Sequence, residues 1–505
     1  MQTFPLRLSS LALESFGQLI LRLMKNILFG QAPSEAAEHV QQMIITYIPP
    51  GMADYVTERL LSCILCSFDE LILSNFMCQK GFHLYTNSCE TVGEAALCVA
   101  QATIHPSASC FHYNQDYEGQ LSSSYIRMFM RRYLNNLLPR LRNIRVLKLR
   151  TVQFDSELLA NSDVCLHNLE EFAYNFCTDN MLQILSSKSS KLKVLDIRES
   201  REVTNDSVQH ILKFRELNSL KINNTKITES GVTRIMKGFP QEFFNFRAEK
   251  RQLDLTEFKS TFTAVHIDLV PQSFKNLVTL EIFLAEECNL APLGSLSQLR
   301  NLALCRYGFP NIPDFHFSYA VPLLKDIGSQ LESLKIVNLN GTKLGIIAAT
   351  CPYLSTLSLQ FPDSQKLGLA EGLSVEDYAR LLPLPTLPPV QCLDLKMRNC
   401  SLTEYLLLKF KGIRKLRLLS LYHSSDSLLT YLVNSLCNGT IEVLEVRETI
   451  IRASGCHVIV SHVNGYSVVI DACHMRELIW KIFKSFTFTS LATSMANVRN
   501  YFTYR

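Results

Sequence analysis

The chain has 505 residues, of which 47% are apolar and 19% charged, and its formal net charge is +4. That length exceeds what one compact core usually needs, so several domains or an elongated repeat are expected, and the low charged fraction argues against disorder over most of it. The small positive excess is scattered along the chain, which argues against a nucleic-acid footprint. The 16 cysteines have no framework spacing. Cys63 and Cys66 form one CxxC pair, but a structural zinc site needs a second pair or histidines at comparable spacing, and Cys78 and Cys89 are not so spaced. No metal and no cofactor are expected, and the thiols read as small buried hydrophobes in a reducing compartment.

Residues 1–67 read as helical. Leu11, Phe16, Leu19, Leu23 and Ile27 recur on one face until Gly30 and Pro33 end the run. A second helix is expected from Ser34 to Tyr47, with Ala37, Val40, Ile44 and Tyr47 apolar. Pro49-Pro50 then breaks the chain, and Met52, Tyr55, Val56, Leu60 and Leu61 continue as an amphipathic helix. Arg7, Glu14 and Arg22 interrupt the first stretch and no basic segment precedes an apolar run, so no secretory signal is expected. No apolar run reaches the roughly 18 residues of a spanning helix. The expected location is cytoplasmic or nuclear.

Residues 68–140 form a transition region. FDELIL (68–73) suits an early strand, 105–124 a polar exposed loop, and YIRMFMRRYLNNLLPRL (125–141) a helix. From residue 141 to about 460 one stencil, L-x-x-L-x-L, keeps returning. It starts at Ile144, Leu169, Leu192 and Leu217, then at Leu277, Leu299, Leu331 and Leu354, then at Val390, Leu416 and Ile441. Most spacings are about 22–26 residues, and the two longer gaps, after Leu217 and Leu354, hold either a degenerate unit or a loop insertion. Within a unit, alternation sends Leu195 and Ile197 inward and Val194, Asp196 and Arg198 to the other side. The segments 203–212 and 227–236 match each other. Val203/Ile227, Val208/Val232 and Ile211/Ile235 would form an apolar helix face, with Thr204 and Thr228 at capping positions. No single unit can bury its own face; stacking does. The Pro-rich stretch 383–389 reads as a loop.

These units resemble the helix-bearing, ribonuclease-inhibitor-like leucine-rich repeats, and CPYLSTLSL (351–359) resembles the cysteine-containing repeats of ubiquitin-ligase receptors. The resemblance implies an α/β leucine-rich-repeat solenoid, parallel strands on its concave face and helices on its convex face, with helical caps at 1–67 and 461–505. Leu478, Ile479, Ile482 and Phe483 would build the second cap.

Two patterns in the N-terminal segment resemble the docking elements of cullin-2 ubiquitin-ligase receptors of the zyg-eleven type. Ser10, Leu11, Ser15 and Leu19 fit an elongin-binding box, with Ser15 in place of its cysteine. Ile48, Pro49 and Met52, with Tyr55 following, fit the opening of a cullin box. The resemblance implies that Leu11 enters an apolar elongin C pocket with Ser15 and Leu19 beside it, while Pro49, Met52 and Tyr55 touch cullin-2. The same residues also suit a plain solenoid cap. The aliphatic-Pro opening resembles an F-box as well, although the Trp that usually ends that pattern is absent, Trp480 lying far downstream.

No phosphate loop, GxSxG, HExxH or paired CxxC occurs, and neither the His457/His462 pair nor the neighbouring Cys473 and His474 has the context of a site. The expectation is a non-enzymatic protein-binding adaptor, the substrate-recognition subunit of a cullin–RING ubiquitin ligase. The alternatives are an F-box-type receptor or a scaffold with no ligase role. The alternation assigns Lys148, Arg150, Asp196, Arg198 and Lys221 to the concave face, a basic lean suited to an acidic partner, with Phe283 and Tyr422 as aromatic candidates.

Overall fold

The stencil leucines become rows of buried side chains, one from each strand. The computed structural model describes residues 18–19, 22–24, 26, 33–65 (less 59 and 62), 93–113, 123–238 (less 151 and 155) and 253–381 (less 254, 285–286, 307–315 and 362–373). It further describes 389–419 (less 398–399), 443–447, 450–453 and 456–459. These residues fall into two compact units, 1–255 and 256–505.

In the first unit five parallel strands follow one another in chain order: β1 (Cys110–Tyr113), β2 (Val146–Leu149), β3 (Glu171–Tyr174), β4 (Val194–Asp196) and β5 (Ser219–Lys221). Their register aligns Phe111, Leu147, Phe172, Leu195 and Leu220 in one buried row. A second row holds Tyr113, Leu149 and Tyr174, continued by Ile197 and Ile222. Each such side chain is sealed only by its neighbours above and below, so truncating one to alanine would cost about 2–5 kcal/mol.

β1 is a correction to the sequence reading, which placed an exposed loop at 105–124. Cys110–Tyr113 pairs with β2, and Ala108, Phe111 and Tyr113 occupy the three aliphatic positions of the stencil. Aromatics and an alanine replaced the leucines, so a purely aliphatic pattern missed the unit.

The turn after the strand repeats too. Glu199, Asn224 and Asn338 have φ of 65°, 60° and 57°, and each stands two places beyond the last inward aliphatic of its strand, Ile197, Ile222 and Ile336. Left-handed backbone suits Asn and is unusual for Glu. Next to it, the Ser200 hydroxyl donates to Tyr174 O (3.0 Å) and accepts from Cys177 N–H (3.0 Å), which ties one turn to the turn before.

The return segments are stitched in the same way. Asp179 opens the helix Asp179–Lys188 and accepts from Thr204 N–H (2.8 Å), Thr204 Oγ1 (2.7 Å) and the Ser207 hydroxyl. One unit on, Asn205 Oδ1 accepts from Thr228 N–H (2.9 Å) and its Nδ2 donates to Thr228 Oγ1 (2.8 Å). Gly231 leaves room for this contact, since a Cβ there would lie 2.2 Å from Asn205 Oδ1. Thr204 caps a short 3-10 turn, Asn205–Ser207, through Asp206 N–H. Thr228 sits at the cap position of the helix Glu229–Lys237, but its hydroxyl is used between units and makes no cap bond. Val208, Ile211, Val232 and Ile235 are buried as the periodicity requires.

The expected second helix is present as Pro33–Tyr47, with Val40 and Ile44 buried. Tyr47, expected on its apolar face, is 78% exposed because the helix ends there and the chain turns at Ile48–Pro49. The described residues among 53–65 are helical and bury Ala53, Val56, Leu60, Leu61, Ile64 and Leu65. Asp54 fastens this helix to β1 by accepting from Ser109 N–H (2.6 Å), Ser109 Oγ (3.1 Å) and Cys110 N–H (2.9 Å). The expected helix at 125–141 is found as Ser123–Leu137, extended by a 3-10 turn.

In the second unit, eight parallel strands again run in chain order. They are β6 (Glu257–Phe262), β7 (Thr279–Leu284), β8 (Asn301–Cys305), β9 (Ser333–Val337), β10 (Thr356–Phe361), β11 (Cys392–Met397), β12 (Lys415–Leu419) and β13 (Val443–Arg447). Phe258, Leu280, Leu302, Leu334, Leu357, Leu393 and Leu416 form the equivalent buried row. The two long gaps have different explanations. The first contains a degenerate unit, because β6 carries Phe258 and the buried Ser260 where leucines would stand. The second is a longer return, since β10 and β11 pair directly and the helix Val375–Leu381 lies between them. An antiparallel pair, Ile450–Ala453 with Cys456–Ile459, follows β13. The fold is an α/β leucine-rich-repeat solenoid. The expected strand at 68–73 and the expected C-terminal cap at 461–505 lie outside the described residues.

Candidate functional site

On β2–β5 the residues that alternate with the core leucines face away from it, and four of them are cations: Lys148, Arg150, Arg198 and Lys221. Two carboxylates, Glu171 and Asp196, stand among them. Lys148 Nζ pairs with Glu171 (2.7 Å). Arg198 grips Asp196 with two parallel bonds, Nε to Oδ1 (2.8 Å) and Nη2 to Oδ2 (2.7 Å). Arg150 reaches the same carboxylate from β2, two strands away (3.5 Å). On β3 between them, Ala173 is in register with Lys148 and Asp196. Burial works against the charge on Asp196, but the Arg198 hydrogen bonds and charge, together with Lys221, outweigh it and hold the carboxyl below its usual range. Three of the sequence-predicted cations, Arg150, Arg198 and Lys221, are therefore brought together around Asp196, while Lys148 pairs with Glu171 instead.

The strand face of the second unit uses the same device. Glu281 on β7 is only 9% exposed and accepts from Lys259 (2.9 Å) and Lys335 (3.1 Å). Lys335 comes from β9 and crosses β8 at Ala303, which is in register with both. Two strand spacings are roughly 10 Å, a gap that the lysine and glutamate side chains span together and that a small middle residue leaves clear. Burial opposes ionisation of Glu281, yet the two ammonium groups bring its carboxyl down to about 2. Cys305 Sγ also contacts Glu281 (3.6 Å), and burial pushes this thiol up to about 12, which makes it a poor nucleophile.

Phe283, expected to be an aromatic anchor, is 7% exposed. A ring so covered offers almost no area to a partner, so that expectation is corrected. Tyr422 lies outside the described residues. The sequence reading missed Phe176, which is 38% exposed in the turn after β3 and meets Tyr174 edge-on at 6.0 Å. It follows the strand in a turn, and an alternation confined to the strand gives no reason to single it out.

Of the residues that resemble an elongin box, Ser10, Leu11 and Ser15 lie outside the described residues, and Leu19 is helical and half-buried. Ile48, Pro49, Met52 and Tyr55 are all described. Pro49 precedes a 3-10 turn, Pro50–Met52, closed by Met52 N–H to Pro49 O (2.9 Å). His105 Nε2 lies 3.2 Å from Ile48 O. Pro49 and Pro50 are exposed, Met52 is half-buried, and Tyr55 is 41% exposed on the helix that Asp54 clamps to β1.

Among the described residues no group of His, Cys, Asp or Glu could hold a metal ion, and no helix is long and apolar enough to cross a membrane. Cys98, Cys110, Cys177, Cys305 and Cys351 are in no disulfide.

No family model and no curated protein matches the chain. Among solved structures, an internalin (inlF) from Listeria monocytogenes str. 4b F2365 is similar at 14% identity and a TM-score of 0.25, over 62% of this chain and 77% of that one.

Proposed function

We propose that this chain is a non-enzymatic adaptor that holds a protein partner on its strand faces and serves as the substrate-recognition subunit of a cullin–elongin ubiquitin ligase in the cytoplasm or nucleus. A leucine-rich-repeat stack has no chemistry of its own, so its work is binding. The observation that carries the ligase reading is the N-terminal segment. One side of it covers the first strand through Asp54 and the buried Val56, Leu60 and Leu61, while Tyr47, Pro49, Pro50 and Tyr55 remain on the surface. A cap needs only the first of these sides. The second is an exposed aromatic and proline surface of the kind that a helical docking element presents. In this reading Ser10, Leu11, Ser15 and Leu19 contact elongin C, and Ile48, Pro49, Met52 and Tyr55 contact cullin-2. Proximity alone would then present the bound substrate for ubiquitin transfer.

Affinity purification of the tagged full chain from cells is the test. Elongin C and cullin-2 are expected in the eluate, with both lost from a Leu11→Asp variant and cullin-2 alone lost from a Pro49→Ala, Tyr55→Ala variant. Recovery of an F-box adaptor, or of neither partner, would replace this reading with a different receptor class or with a plain scaffold.

A further inference from the structure

We infer that Arg306 anchors an internal binding site for a small, proton-bearing phosphate, just past the carboxyl ends of β8 and β9. The site needs nothing from the N-terminal segment, so this inference and the ligase reading fail separately.

The first observation is an unanswered charge. Among the described residues three Asp, Glu, Lys or Arg side chains are buried: Asp196, Glu281 and Arg306. The two acids are each held by cations. Arg306 is 3% exposed, and neither its Nη1 nor its Nη2 has a hydrogen-bond partner. A buried charge normally has a counter-ion, and a guanidinium cannot escape the cost of burial by giving up its proton. Its place in the repeat is unusual too. Arg306 stands two residues beyond Leu304, where the units starting at Leu192, Leu217 and Leu331 carry the more exposed Glu199, Asn224 and Asn338. The root of the side chain is held, since Arg306 N–H donates to Val337 O (3.0 Å) and its O accepts from Asn338 Nδ2 (3.1 Å).

The second observation is a pair of open acceptors in the adjoining turn. Asn338 is level with Arg306 in the strand register, where Cys305 pairs with Val337, and Asn340 follows two residues on. The Oδ1 atom of each is buried without a partner. Such atoms are normally satisfied, and an unfilled site is one reason for an exception. The bond from Asn338 Nδ2 to Arg306 O fixes which end of that amide is the oxygen.

These atoms narrow the ligand. Two open guanidinium nitrogens match the paired oxygens of a carboxylate, sulfate or phosphate. Water could serve the asparagines but brings no charge for Arg306. A carboxylate or sulfate brings charge, yet at neutral pH it has no donor for Asn338 or Asn340. A phosphate that keeps a proton supplies both, oxygens to Arg306 and an O–H to an asparagine oxygen. Burial decides between a free anion and a side chain of a docked protein. A group this enclosed is out of reach of a partner's surface, whereas a small anion is taken up as the chain folds and exchanges through local opening.

The test gives the dialysed full chain inorganic phosphate, sulfate or chloride at matched ionic strength. The melting temperature should rise with phosphate and saturate, and sulfate should do much less at the same concentration. Equilibrium dialysis with labelled phosphate should then show about one bound anion per chain. Arg306→Gln should weaken that binding about tenfold or more. Asn340→Ala should keep binding but lose much of the preference for phosphate over sulfate. If Arg306→Gln fails to fold, Arg306→Lys, which keeps the charge but loses the paired donors, should bind severalfold more weakly. No saturable phosphate effect in the wild type would overturn the inference. So would equal binding by the Arg306 variants, or equal effects of phosphate and sulfate on the wild type.

Discussion

Asp196 in the first unit and Glu281 in the second are built on one plan with different balances. Each is a nearly buried acid on a strand face, and each receives a cation from two strands away, the one to Glu281 crossing the intervening strand at Ala303. Around Glu281 two lysines share one carboxylate, and the nearby thiol adds no charge. Around Asp196 the cations are two arginines and Lys221. The comparison teaches that one architectural device can be built from different cations. With Glu281 two lysines share one carboxylate and the cluster works as a rivet between strands. With Asp196 a two-point arginine fork holds the carboxylate, and Arg150 reaches it from two strands away.

Removing the rivet should have the largest effect. Glu281→Gln leaves Lys259 and Lys335 without their shared counter-ion, and should cost about 2–3 kcal/mol in urea unfolding. Asp196→Asn should cost less, about 1–2 kcal/mol, because Arg150 and Arg198 can turn to water. If Asp196→Asn proved the more damaging, the assignment of roles to the two clusters would be reversed.

Acid sensitivity sharpens the same contrast. The Glu281 carboxyl is depressed in the folded protein, to about 2 from 4.5. Its contribution is therefore fully present above about pH 4.5 and is lost as pH falls from there toward 2. A pH series of melting temperatures should show that acid limb in the wild type and a flatter one in Glu281→Gln. An unchanged limb would mean that other carboxylates dominate it. Asp54 and Asp179 also sit below their usual range, because backbone and hydroxyl hydrogen bonds outweigh their burial, and they act in the same direction.

A smaller effect should follow from filling the alanine gap. Ala303→Leu would block the path of Lys335 and cost about 1 kcal/mol, measured by thermal denaturation. The smallest effect expected is on the return side. Asn205→Ala removes the bonds to Thr228 and should cost about 1 kcal/mol or less without altering binding to the strand face.

Legibility followed the range of the interaction. The inward leucines of LKVLDI and LNSLKI obey a local rule, and they revealed β4 and β5 without any structure. β1 and β6 escaped because Phe111, Tyr113, Phe258 and Ser260 fill leucine places, and burial accepts any side chain that fits the space. The cations of the candidate site were readable from alternation. That Arg150 and Arg198 share Asp196 was not, nor was the exposure of Phe176 or the cover over Phe283.

The sequence by itself determined the repeat, the inward faces and the set of outward charges, because each depends on residues a few places apart on one strand or one helix turn. Only the tertiary structure decided which charges meet. An ion pair between strands that are not neighbours depends on register and on the size of the residue in between. Ala303 carries that information only once the strands lie side by side.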